Sequence, residues 1–220
     1  MKGKLQLKNY FSIMFYFIKT PWFFKKLFPD CLWDVKTSEK ILYLTFDDGP
    51  HPEVTPFVLD ALKKYDAKAT FFCIGKNVAE NFDVYKQIIK EGHKPGNHTY
   101  NHLNGWKTSE KKYLEDIAHA AEIIDSKLFR PPYGKIKKFH LKALQGSKFG
   151  MKTIMWDVLS ADFDEKITPE NCYLNVINNT VPGSIIIFHD SLKAFPRLEY
   201  TLPRVLEYFN KQGYIFKLID

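Results

Sequence analysis

Cysteine is scarce in this 220-residue chain. Cys31, Cys73 and Cys172 are odd in number and widely spaced, which excludes a disulfide framework. Cys73 sits in the apolar run Ala69–Ile74 and reads as a small buried hydrophobe. No apolar run reaches the roughly 20 residues that span a bilayer. No glycine-rich loop follows the first strand-like run, which weakens any nucleotide-binding reading. Internal repeats, low-complexity tracts and a linker dividing residues 40–220 are also lacking. No nucleic-acid-binding motif is present, so nucleic acid is not an expected partner. Acidic residues are the minority, 25 against 32 basic, for a net charge of +7. That balance suits cell-wall polymer, anionic lipid or nucleic acid, and the dispersed lysines equally serve solubility.

What is present describes a globular chain: 45% hydrophobic and 16% aromatic residues. The length suits one domain with a large core. At the N-terminus, Lys2, Lys4 and Lys8 precede an apolar run from Tyr10 to Ile18. Lys19, Pro21, Lys25 and Lys26 follow, without the small-residue site of a cleavable signal. Three readings stay open there: a segment on a membrane surface, an aromatic plug against the domain, or an uncleaved signal. Met14 is an alternative start. Peripheral membrane contact is therefore one expected partner, and the location is left between cytoplasm and envelope.

From residue 40 onward, strand-like and helical patterns alternate. Expected strands are Ile41–Phe46, Ala69–Ile74, His93–Gly96, Leu128–Arg130, Lys152–Trp156, Ser184–Phe188 and Tyr214–Leu218. Helical patterns fall near residues 55–65, 84–91, 109–126, 169–179 and 202–211, with Ser109 and Thr168 as N-caps and Gly213 as the last stop. Such alternation predicts an α/β fold, a distorted (β/α)7 barrel of parallel strands with outer helices. An open doubly wound sheet is the alternative. The expected division is an aromatic and basic segment, 1–39, and a catalytic domain, 40–220.

The polar clusters follow the strands. Thr45-Phe46-Asp47-Asp48-Gly49 places adjacent carboxylates where an apolar strand runs out. Successive side chains alternate in direction, so one carboxylate can bind a metal while its neighbour accepts a proton. His98 and His102, four apart, are expected on one side of a helical turn, able to hold one ion. Arg130 and Tyr133 follow the fourth strand, Trp156, Asp157 and Asp162 the fifth, and His189 and Asp190 the sixth. In a parallel barrel these C-terminal strand ends share one rim, where chemistry gathers. One carboxylate and two imidazoles leave positions open for water and substrate.

Four motifs occur in order: Thr45–Gly49, His98-Thr99-Tyr100-Asn101-His102, Arg130-Pro131-Pro132-Tyr133-Gly134 and Ile187-Phe188-His189-Asp190. Together they resemble the polysaccharide deacetylase family, the NodB-homology or family 4 carbohydrate esterases. The resemblance covers roughly residues 40–218. It implies that Asp48, His98 and His102 bind a divalent metal, zinc first, with cobalt, nickel or manganese as alternatives. It implies Asp47 as general base toward a metal-activated water, with Arg130 orienting it. The backbone N–H of Tyr133 would face the oxyanion, on a loop stiffened by Pro131 and Pro132. His189 would protonate the leaving amine.

The implied substrate is an acetylated, glucosamine-containing carbohydrate. Trp156, Trp106 and Asp162 are the expected substrate-side residues, with core packing as the other reading for each tryptophan. One position departs from the family pattern. Leu159 stands where many members carry the aspartate that tunes the acid histidine. Asp162 or Asp157 can substitute, or His189 acts alone. His51, His93, His119 and His140 read as ordinary structural histidines. The alternatives are an O-acetyl esterase, a small non-sugar amide hydrolase, or an inactive carbohydrate-binding envelope protein.

Overall fold

The computed structural model describes residues 16–146 and 149–220. Its strands are β1 (Cys31–Leu32), β2 (Ile41–Asp47), β3 (Ala69–Cys73), β4 (Lys94–Asn97), β5 (Leu128–Phe129), β6 (Lys152–Ile154), β7 (Val158–Leu159), β8 (Ile185–His189) and β9 (Ile215–Phe216). The helices are α1 (Trp22–Leu27), α2 (Val54–Lys63), α3 (Gly75–Glu80), α4 (Phe82–Lys90), α5 (Glu110–Ala121), α6 (Lys138–Gln145), α7 (Pro169–Ile177) and α8 (Phe195–Lys211). The strand order is β1-β6-β5-β4-β3-β2-β8-β7, with β9 added beside the start of β2, and every pairing is parallel. This is a curled parallel sheet with outer helices, a distorted barrel rather than an open doubly wound sheet.

Strand β2 sets the layers. It is buried along its whole length, as a parallel strand covered on both faces must be. Leu42, Leu44 and Phe46 face outward and pack with Val58, Leu59 and Leu62 of α2 and Val205 of α8. Ile41 and Tyr43 face the interior with Phe72, Ile154 and Ile185. The two-residue period therefore carries Thr45 and Asp47 to the interior as well.

The seven expected strands are present within a few residues. Two short strands were not foreseen. What reads as one strand after Lys152 is two, because Met155, Trp156 and Asp157 step the chain from β5 across to β8. β6 pairs with β5, whereas β7 pairs with β8. Residues 16–35 lie along this step: β1 pairs with β6, and Lys19 forms an antiparallel bridge with Val158. The leader-like stretch lies largely in residues 1–15, outside the described residues. Among the described residues, no helix is long and apolar enough to cross a membrane.

Thr168 caps α7 by accepting from the Asn171 N–H at 3.1 Å. Gly213, at φ 78°, stops α8. Ser109 stands at the N-cap of α5, but its side chain makes no cap hydrogen bond. α8 starts earlier than its pattern suggests, because it continues through Pro203 instead of beginning there.

Phe46 stacks between Phe71 and Phe188, with ring centroids at 5.0 and 5.9 Å. Phe46→Ala is expected to cost about 3–5 kcal/mol, read as a lower midpoint in urea denaturation.

Candidate active site

Asp47 ends β2 inside the barrel. Its Oδ1 accepts a 2.7 Å hydrogen bond from Arg130 Nη1. Arg130 is fully buried, so its charge must be compensated on the spot. The same Nη1 donates to Thr45 Oγ1 at 2.7 Å, Nη2 to the Met155 carbonyl at 2.8 Å and Nε to the Ile154 carbonyl at 3.2 Å. The guanidinium lies 4.1 Å from the centre of the Phe72 ring, a cation–π contact.

Asp48 leaves the strand at φ 81°, which turns its carboxylate away from that of Asp47. Asp48 Oδ1 lies 3.2 Å from His102 Nε2 and 3.7 Å from His98 Nε2. Donor atoms of Asp48, His98 and His102 all fall within 4.8 Å of one another. Ligands of a tetrahedral zinc site, at ~2.0–2.1 Å from the ion, stand about 3.3 Å apart. The donor chemistry also fits a cation. His98 Nδ1 hydrogen-bonds the Arg130 carbonyl at 2.8 Å, so Nδ1 carries the proton and Nε2 offers its lone pair. Burial lowers the His98 pKa to about 4, keeping the ring neutral. Burial opposes charge on Asp48, but the hydrogen bond from His102 and the neighbouring His189 and His98 hold its carboxyl below the usual range.

The two imidazoles do not sit on a helical turn. The segment is a loop with Thr99 at φ 63° and His102 at φ 55°. Its shape is held by two side chains that no motif pointed to. Asn97 Oδ1 accepts from the Thr99 N–H at 2.9 Å. Buried Asp116, on α5, accepts from the N–H groups of Tyr100 and Asn101, both at 2.9 Å.

His189 ends β8 in register with Asp47. Its Nδ1 pairs with Asp162 Oδ1 at 2.7 Å, and its N–H donates to Asp162 Oδ2 at 2.7 Å. Burial works against the imidazolium. The charge and hydrogen bond of Asp162, with Asp48 and Asp47 behind, outweigh it and raise the His189 pKa to about 9. Asp162 is fully buried. Its carboxylate is spent on His189 instead of facing substrate, which corrects its expected substrate-side placement. Leu159 leaves no gap in the pair, because Ala161 at φ 63° bends the chain so that Asp162 reaches the histidine. Asp157 is engaged elsewhere, with Lys19 and Lys25.

Asp190, expected at the rim beside His189 but without an assigned role, has a structural one. It is buried, accepting from the Gly49 N–H at 3.0 Å and the Thr55 hydroxyl at 2.5 Å. Burial, with Asp48 nearby, raises its pKa to about 8. It pins the turn that carries Asp48, and a Cβ at Gly49 would fall on its carboxylate.

Tyr133 sits at φ 60° in a short 3-10 turn, its ring 4.6 Å from that of His102. The turn's hydrogen bonds run from Gly134 to Pro131 and from Lys135 to Pro132, leaving the Tyr133 N–H outside them. Trp156 is partly buried, 5.9 Å from the Arg130 guanidinium and close against Gly134. Trp106 is 57% exposed, with Lys135 Nζ 4.1 Å from its ring. His51, His93 and His119 serve packing and local hydrogen bonds.

A curled parallel β/α sheet, with carboxylates and imidazoles gathered at the C-terminal ends of its strands, is the frame of a hydrolytic barrel enzyme. The family model described as polysaccharide deacetylase matches residues 34–154. A peptidoglycan-N-acetylglucosamine deacetylase of Bacillus cereus is 38% identical over 195 residues, covering 86% of this chain and 90% of that protein. A chitooligosaccharide deacetylase of Azorhizobium caulinodans is 34% identical over 163 residues, covering 71% and 76%. The crystal structure of the Bc1960 peptidoglycan N-acetylglucosamine deacetylase superposes with a TM-score of 0.82 at 31% identity, covering 89% of this chain and 94% of that one. The chain belongs to the polysaccharide deacetylase family, the family 4 carbohydrate esterases, and is a carbon–nitrogen hydrolase.

Gly49→Ala is expected to destabilise the fold by about 1–3 kcal/mol through overpacking, and to weaken zinc binding in calorimetric titration. Unchanged zinc affinity would mean that the Asp48 turn does not depend on Asp190.

Proposed function

We propose that this protein removes N-linked acetyl groups from N-acetylglucosamine residues of a peptidoglycan- or chitin-like glycan. One observation carries the reading. The Asp48-His98-His102 cluster shares the strand ends with a carboxylate paired with a buried arginine and, in register with that carboxylate, an imidazole whose proton is held by a buried aspartate. A carboxylate and an imidazole, each fixed by its own buried partner, let one site supply both a proton acceptor and a proton donor.

Asp48, His98 and His102 would hold a divalent ion, which when bound would supply the Lewis acidity that makes water nucleophilic near neutral pH. Zinc suits this donor set, and cobalt, nickel or manganese can replace it. Asp47 takes the proton of the attacking water through the carboxylate oxygen that Arg130 leaves free. Arg130 fixes the orientation of that carboxylate with a charge-assisted bond. The Tyr133 N–H donates to the oxyanion that develops on the acetyl carbonyl. His189 then delivers its proton to the departing amine nitrogen, and Asp162 stabilises the imidazolium that makes the delivery. Trp156 walls the acetyl side, and the exposed face of Trp106 offers a sugar-stacking surface. The glycan substrate is supported by the relatives' named activities.

Ester and amide hydrolysis share these groups, so acetate release is to be measured on peptidoglycan, N-acetylglucosamine oligomers and acetylated xylan together. Release from the first two is expected, with loss on chelation and recovery on adding zinc. Asp47→Asn is expected to lower kcat by about 10²–10⁴-fold, and an unaffected rate would remove Asp47 from the role of base.

Asp162→Asn tests the acid. Loss of the carboxylate charge leaves the imidazolium less stabilised, so His189 releases its proton at lower pH than the value of about 9 set by its partner. The basic limb of the kcat profile therefore moves to lower pH. A limb that stays in place would mean that His189 is not the proton donor.

A further inference from the structure

The step between β6 and β7 is gripped from outside by residues 16–35. Asp157, on that step, is 1% exposed. Its Oδ1 pairs with Lys25 Nζ at 2.7 Å. Its Oδ2 takes Lys19 Nζ at 2.5 Å and the Ser184 hydroxyl at 2.6 Å. Lys25 also pairs with Asp34, and Lys19 donates to the Asn179 carbonyl at 2.8 Å. A buried carboxylate holds its charge only when such partners surround it.

The backbone of the step is held by the same segment. Met155 N–H donates to the Leu32 carbonyl at 2.7 Å, and Leu159 N–H to the Ile18 carbonyl at 2.8 Å. Thr20 donates through its hydroxyl to the Trp156 carbonyl and through its N–H to the Asp157 carbonyl, both at 2.8 Å. Tyr16 extends the contact, donating to Asp164 at 2.7 Å and meeting the edge of Phe163 at 5.6 Å. Phe163 in turn meets His189 at 5.2 Å.

Seen from the interior, the passage of chain from Ile154 through this step to Asp162 carries both halves of the site. Ile154 and Met155 present the carbonyls that seat Arg130, and with it Asp47. A few residues on, Asp162 seats His189.

We propose that the N-terminal strap, residues 16–35, positions the catalytic pair: by gripping Asp157 and its neighbours it sets Arg130 on the base side and Asp162 on the acid side. The inference rests on the proposed deacetylase reading for its kinetic consequence, but not for its structural one. Lys19, Thr20, Lys25 and Asp157 are thus positioning residues, acting through Arg130 and Asp162.

The test uses Thr20→Val, a neutral change of one hydrogen bond, and Asp157→Asn, each in the full chain. Three quantities are read: the melting temperature, kcat against KM, and the low-field proton resonance of the His189–Asp162 hydrogen bond. Asp162→Asn assigns that resonance by its loss. At temperatures well below melting, kcat is expected to fall about tenfold in Thr20→Val and about a hundredfold in Asp157→Asn, as misplacement on the ångström scale predicts. KM is expected to change less than kcat, because the substituted side chains are not themselves among the proposed substrate contacts, although Thr20 holds the backbone of Trp156. The low-field proton moves upfield or broadens away in both variants.

A lower melting temperature with kcat per folded molecule and the proton unchanged would reduce the strap to a stabilising element and overturn the proposal. If Asp157→Asn does not fold, Thr20→Val decides alone. If the wild-type chain releases acetate from no glycan, the functional reading falls, and the low-field proton, observed without substrate, decides the positioning role.

Discussion

A single buried guanidinium carries the geometry of this site. Desolvating a charge of that size costs several kcal/mol unless partners surround it. Arg130 finds them on three sides: the Asp47 carboxylate and Thr45 hydroxyl of β2, two carbonyls at the end of β6, and the face of Phe72 on β3. Its own backbone is used as well. The Arg130 N–H donates to the Asn97 carbonyl at 3.0 Å, and its carbonyl takes the Nδ1–H of His98. The candidate base and one candidate metal ligand therefore share one anchor, and the need to satisfy the buried charge keeps them in register.

Neighbouring or like residues acquire opposed duties from their surroundings. Asp47 continues the inward side of β2, whereas Asp48 turns at φ 81° toward two imidazoles. His98 and His189 show the same division. Burial drives the first down to about 4, as suits a neutral ligand, and Asp162 drives the second up to about 9, as suits a proton donor. The residue type is common to each pair. The difference comes from depth and from the neighbouring charge.

The barrel also solves a closure problem in an economical way. One passage of chain, residues 152–159, pairs with β5 by its first half and with β8 by its second. The three residues between pair with neither strand as a regular ladder. Their carbonyls and the Met155 N–H are taken up by the N-terminal segment and by Arg130, and the Asp157 N–H by the Ile185 carbonyl of β8, as buried polar groups require. The polar side of that closure thus lies beside the site, which ties the architecture to the chemistry more closely than strand order alone would.

The seven main strands, the parallel architecture and the rim residues Asp47, Asp48, His98, His102, Arg130 and His189 were legible in the chain. Apolar period and short motifs are local, and they act through the alternation of side chains along a strand. The remainder was decided by tertiary structure. Asp190 reaches Gly49 across 141 positions and Thr55 across 135. Asp116 shapes the histidine loop from a helix 15 or 16 residues on, and that loop uses left-handed residues where spacing alone suggested a helical turn. The family pattern put Leu159 at the position of the His189 partner and left Asp162, Asp157 or no partner open; the bend at Ala161 brings Asp162 to the histidine. A local pattern specifies which face a side chain occupies. Which distant polar group will meet it there is set by the folded chain's need to satisfy every buried donor and charge, and that requirement has no local signature.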